Sequence, residues 1–96
     1  MSLSPAQCRA ARALLDWPQA RLAEAGKVAT KTLADFEGGH RTPYPRTLAD
    51  IRAALEQAGI AFIDDDGGGA GVRLRRSALQ ADQGLKPSEL DATNDD

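Results

Sequence analysis

The chain has 96 residues, enough for one domain with a small core, and its 42 % hydrophobic content is ordinary for a globular protein. The lone Cys8 excludes an internal disulfide and a cysteine-based zinc site, and no apolar run approaches the length of a membrane span. The net charge of −2 counts against a nucleic-acid partner on average, but between Met1 and Ile63 eight basic residues face six acidic ones, and the acidity sits in Asp64, Asp65, Asp66 and the last fifteen residues.

Aromatic residues are only 4 %, so the core must be mostly Leu, Ile, Val and Ala, which favours helices. The start Ser4-Pro5-Ala6-Gln7 has a cap, a proline suited to the first helical position, and a glutamine where a capping box wants it. Cys8, Ala11 and Leu15 then recur with helical spacing, so the first helix should run to about Leu15. Trp17-Pro18 breaks the run. Pro18 can open a second helix through Ala25, with Gly26 as its stop. A third short helix is expected over residues 30–37, with Leu33 and Phe36 three apart and Gly38-Gly39 ending it. Residues 40–45 read as an exposed basic loop with two prolines. Leu48, Ile51, Leu55 and Ala58 predict a fourth helix over residues 46–58, closed by Gly59.

The period then changes. Ile60, Phe62 and the run 72–75 read as strands of a hairpin around a turn-rich loop of aspartates and glycines. Residues 77–96 are polar and acidic and are expected to form a flexible tail, with a weak helical stretch near 77–83. The expected fold is thus mainly α, with a four-helix unit at residues 1–59, a hairpin at 60–76 and a tail at 77–96.

Residues 19–37 carry the pattern with most functional content. Leu22 and Ala23 fall on the inner face of the second helix, Val28 in the turn, and Leu33 and Phe36 on the inner face of the third. Ala23 is small enough to let the two helices cross closely. The outer face holds Gln19, Thr30, Lys31, Ala34 and Asp35. Short polar and basic side chains at the start of a helix are what base edges and phosphates require.

On these residues the chain resembles the Cro and lambda-repressor type helix-turn-helix regulators, often called the xenobiotic-response-element family. The anchors are Gln19, Leu22-Ala23, Val28, Thr32-Leu33, Phe36-Glu37 and Gly39, within residues 4–58. The continuation through Gly59-Ile60-Ala61-Phe62-Ile63, Gly67-Gly68-Gly69 and Gly71-Val72-Arg73-Leu74 resembles a small bacterial subgroup with a C-terminal strand pair. The resemblance implies a bacterial or phage transcription regulator, acting as a homodimer on double-stranded DNA. Gln19, Thr30, Lys31 and Ala34 would face bases, while Lys27, His40, Arg41, Thr42 and Arg46 would hold phosphates. Arg12 and Glu37 match a family pair that ties the first helix to the third. Ile60, Phe62, Ile63, Val72 and Leu74 are the expected dimer residues, because a two-strand hairpin alone is marginal.

Two positions depart from the family pattern. Lys27 stands where the turn usually has Gly; either it takes positive φ, at a cost on the order of 1 kcal/mol, or the turn shifts onto Gly26. Pro18 stands where a Ser or Thr cap is usual.

Other features have plainer readings. Cys8 on the apolar stripe suits a small core residue better than a nucleophile. The glycine run at 67–71 lacks the Lys and helix of a phosphate loop and suits a hairpin turn. The aspartates at 64–66 suit solvated loop acidity better than a cation site. With His40 the single histidine, no catalytic or metal constellation is visible, so neither enzyme activity nor a cofactor is expected. The N-terminus has no basic stretch leading into an apolar one, so no secretory signal is expected and a cytoplasmic location is. The alternative is a protein-interaction module, such as an antitoxin or adaptor, whose acidic tail folds on a partner.

Overall fold

The computed structural model describes residues 3–75, and the expected tail lies outside them. Within them the chain forms α1 (Pro5–Leu15), α2 (Gln19–Gly26), α3 (Thr30–Glu37), α4 (Pro45–Gln57), β1 (Ile60–Ile63) and β2 (Gly71–Leu74). The fold is mainly helical with one two-stranded antiparallel sheet. Among the described residues no helix is long and apolar enough to cross a membrane.

Helix α1 begins as its sequence demands. Ser4 Oγ accepts from the Gln7 backbone N–H at 3.0 Å, and Gln7 Oε1 accepts from the Ser4 N–H at 3.2 Å, a complete capping box. It ends at Asp16, which adopts the left-handed conformation at φ 59°, a region that Asp tolerates better than most residues.

The turn after α2 falls one residue later than the glycine suggested. Gly26 stays helical and buried, and Lys27 takes the left-handed conformation at φ 57° and ψ 47°. A Cβ at Gly26 would sit 3.4 Å from the Cα of Ile51, at ordinary contact distance from α4. Pro18 occupies the cap position of α2 instead of its first turn, and supplies no side-chain bond. Helix α4 starts and ends one residue earlier than its apolar spacing predicted. The proline at its first position is compatible with helix, so Pro45 opens it.

One core joins all four helices to the sheet. Cys8, Leu22, Leu33, Ile51, Leu55 and Ile60 are fully buried, with Leu3, Ala11, Ala23, Phe36 and Ala54 around them. Trp17, Val28 and Leu48 pack on its rim, and the Arg21 guanidinium lies over the Trp17 ring at 4.8 Å.

The strands pair with Ile60 opposite Leu74 and Phe62 opposite Val72 on one face. Ala61 opposite Arg73 and Ile63 opposite Gly71 form the other. The core-facing set includes Ile60, which is 1 % exposed and wholly taken up by the chain's own core. This corrects its expected place at a dimer surface, since a side chain already buried has nothing left to give a partner. The acidic loop also has a structural use. Asp65 Oδ1 accepts from the N–H groups of Gly67 and Gly69, both at 3.0 Å, and Asp66 Oδ1 accepts from Gly68 at 3.2 Å. Finally, Gln7 Nε2 donates to Gly71 O at 3.1 Å, so the residue that caps α1 also ties β2 to it.

Candidate nucleic-acid interface

Among the described residues the best-defined polar assembly surrounds Glu37, the last residue of α3, whose side chain is 2 % exposed. Arg12 Nε donates to Oε2 at 2.8 Å and Arg12 Nη2 to Oε1 at 2.6 Å, a two-pronged pair. Cys8 Sγ donates to Oε2 at 3.0 Å and Gln19 Nε2 to Oε1 at 3.0 Å. Arg9 donates to the Glu37 backbone carbonyl, and Arg12 Nη1 donates to Trp17 O at 3.0 Å. The cluster therefore fastens α1, the junction before α2, the first residue of α2 and the last residue of α3 together.

Its electrostatics follow from these contacts. Burial acts to raise the Glu37 pKa, but the hydrogen bonds from Arg12, Cys8 and Gln19 outweigh it and hold the carboxyl below its ordinary value. The bond to Glu37 raises the Arg12 pKa in turn. Burial, reinforced by Glu37, pushes the Cys8 thiol far up, so it remains a protonated donor and a poor nucleophile.

The opposite end of α3 is open. Its cap residue, Ala29, provides no side-chain bond, and Thr30 and Lys31 are exposed in the first turn. Lys31 Nζ reaches Asp35 Oδ2 at 3.4 Å, but with the lysine side chain 84 % exposed this pair exchanges readily with other anions. Helices α2 and α4 also start without side-chain caps, at Pro18 and Tyr44. Unpaired N–H groups at a helix start, together with the helix dipole, favour a negatively charged ligand.

The other expected contacts divide by accessibility. Lys27, His40, Arg41, Thr42 and Arg46 are all exposed. The loop holding His40 is folded back on α3, where the His40 N–H donates to Asp35 O at 2.8 Å. Ala34 is half-buried, and Gln19 is half-buried with its amide nitrogen already donating to Glu37. Gln19 thus keeps its carbonyl oxygen and its second N–H for other partners. Phe62, Ile63, Val72 and Leu74 are half-buried, and of these Phe62, Val72 and Leu74 lean on the core.

Three contributions were not legible in advance. Arg9 lies one helical turn before Arg12, a spacing that could have flagged it as a second arm toward Glu37. The tie from Gln7 to Gly71 spans 64 positions and carries no local signal. Nor does the Arg52 guanidinium over the Phe62 ring at 4.5 Å, although its 3.1 Å bond to Glu56 has the local i,i+4 spacing. No protein-family model and no curated protein matches the chain.

Proposed function

We propose that residues 19–37 form a helix-turn-helix unit of the Cro and lambda-repressor kind, and that the protein is a sequence-specific, double-stranded DNA-binding transcription regulator, a repressor acting as a homodimer in the cytoplasm and without enzymatic activity. The observation that carries this reading is the asymmetry of α3. One end is fastened by Glu37, while the first turn stands free with Thr30 and Lys31 exposed. A helix held rigidly at one end and bare at the other can enter a major groove without rearranging.

In that pose Lys31 donates to guanine O6 or N7, releasing Asp35, and the Thr30 methyl meets a thymine methyl. Lys27, His40, Arg41, Thr42 and Arg46, with the free N–H groups at the helix starts, hold phosphates. A module this small covers little DNA, so two copies on a pseudo-palindrome supply the remaining contacts, and the hairpin with its outward Ile63 is the surface available for pairing.

Selection of bound sequences from a random duplex pool tests the proposal. The expected result is an enriched pseudo-palindromic site, together with an Arg41→Ala variant that weakens binding similarly on all sequences and reduces the salt slope by about one. A pool that shows no enrichment, with Arg41→Ala indistinguishable from the native chain, overturns it.

A further inference from the structure

Among the described residues Tyr44 is the most exposed large hydrophobic side chain, with 80 % of its surface in solvent. One exposed ring is ordinary; the way this one is mounted is not. Pro43 before it is buried, and Pro45 after it is the first residue of α4. Each proline fixes its own φ, and Pro45 also restricts the residue before it to extended backbone. Tyr44 obeys, at φ −58° and ψ 151°, and its carbonyl accepts from the Leu48 N–H at 3.0 Å. The two prolines line an apolar groove with Leu3, Leu48 and Ala49, while Tyr44, between them, is not among its walls and stands in solvent. The backbone under the ring is thus already ordered, and a side chain with two rotatable bonds loses little more on binding.

The surrounding charges choose the partner. Residues 40–46 hold His40, Arg41 and Arg46 and no acid, and all three basic residues are exposed. None of the three is in a salt bridge among the described residues. A phenol set between free cations suits a polymer that offers apolar and anionic surface in alternation. The DNA backbone does so, with deoxyribose carbons between its phosphates.

We propose that Tyr44 packs its ring on a deoxyribose and donates its hydroxyl to the adjoining phosphate when the basic loop meets the duplex. This rests on the DNA-binding reading and adds to it a neutral contact at a residue outside the base-facing and phosphate-holding sets. The contact has its own signature. A neutral side chain releases no counterion, so its contribution persists as salt rises, whereas that of Arg41 fades. Sugar and phosphate carry no base information, so the effect is alike on every sequence.

The test uses the full chain. Tyr44 is its single tyrosine, so nitration by tetranitromethane, read as nitrotyrosine absorbance, reports on this ring alone. The free protein should be nitrated readily, and a random-sequence duplex of about two helical turns should protect it at low salt. Tyr44→Ala should weaken binding to that duplex about five- to tenfold, with the salt slope and the urea unfolding midpoint unchanged. Tyr44→Phe, which keeps the ring, should lose only about twofold.

An unprotected ring, with Tyr44→Ala binding like the native chain, overturns the proposal; if Arg41→Ala still weakens binding, the DNA-binding reading survives. A Tyr44→Ala loss that comes with a shallower salt slope also overturns it, because the ring then acts by positioning the arginines. Protection that appears without DNA as protein concentration rises overturns it in favour of a second copy over the ring. A protein that binds no duplex sinks the DNA-binding reading and this proposal with it.

Discussion

The two ends of α3 belong to one helix of eight residues, yet they are built on opposite rules. At the C-terminal end Glu37 is buried and both carboxylate oxygens are occupied, by Arg12, Cys8 and Gln19. At the N-terminal end Ala29 provides no cap, and Thr30 and Lys31 face solvent. A buried carboxylate is tolerable only when its partners are fixed, so the first end dictates rigidity. An exposed helix start loses little when its partner is water, so the second end is free to exchange water for another ligand. One helix can therefore hold its orientation through one terminus and present chemistry at the other.

Replacing Glu37 should break this comparison most severely. Glu37→Ala leaves Arg12 without its carboxylate and opens a hole beside Cys8, and is expected to cost about 3 kcal/mol or more in urea unfolding. The same residue governs acid stability. Its folded pKa lies below that of an unfolded glutamate near ~4.3, so its contribution is fully present above that value and is lost as pH falls through the lower, folded one. Unfolding midpoints measured from neutral pH downward should therefore drop more for the native chain than for Glu37→Gln.

Lys31→Ala is the counterpart at the open end. It should leave stability unchanged within about 0.5 kcal/mol. On a selected DNA site it should weaken binding by about 1–3 kcal/mol while leaving binding to unrelated duplexes less affected. A large loss of stability from this change would erase the distinction between the two ends.

The smallest expected effect sharpens the turn between the helices. Lys27 is held at positive φ, so Lys27→Gly removes steric strain but gains chain entropy in the unfolded state. The net expectation is a stabilisation of about 0.5–1 kcal/mol in thermal unfolding. Gly26→Ala is accommodated, since its methyl would meet Ile51 no closer than 3.4 Å, and should change stability by no more than about 1 kcal/mol.

Much of the architecture was readable from local chemistry. The capping box at Ser4 and Gln7, the spacing of Cys8 and Ala11, and the pair Leu33 and Phe36 predict α1 and α3 over the residues they occupy. The meeting of Arg12 with Glu37 came from a family resemblance instead, since 25 positions separate them and no period links them. Accessibility was harder to foresee. Gln19 and Ala34 were placed on the outer face with Thr30 and Lys31, but both are half-buried, and Gln19, at the start of α2, is turned to Glu37 at the end of α3.

By itself the sequence determined which segments are helical and where the polarity lies, because capping, proline placement and apolar period act over a few residues. Tertiary structure alone decided three things. Which residue of α4 lies against Gly26 depended on bringing Ile51 to it. Whether Ile60 faces a partner or the core depended on the strand's position beneath the helices. Which donors satisfy Glu37 depended on bringing Cys8, Arg12 and Gln19 to one point. Each of these is a contact between residues distant in the chain, and no local pattern encodes such a contact.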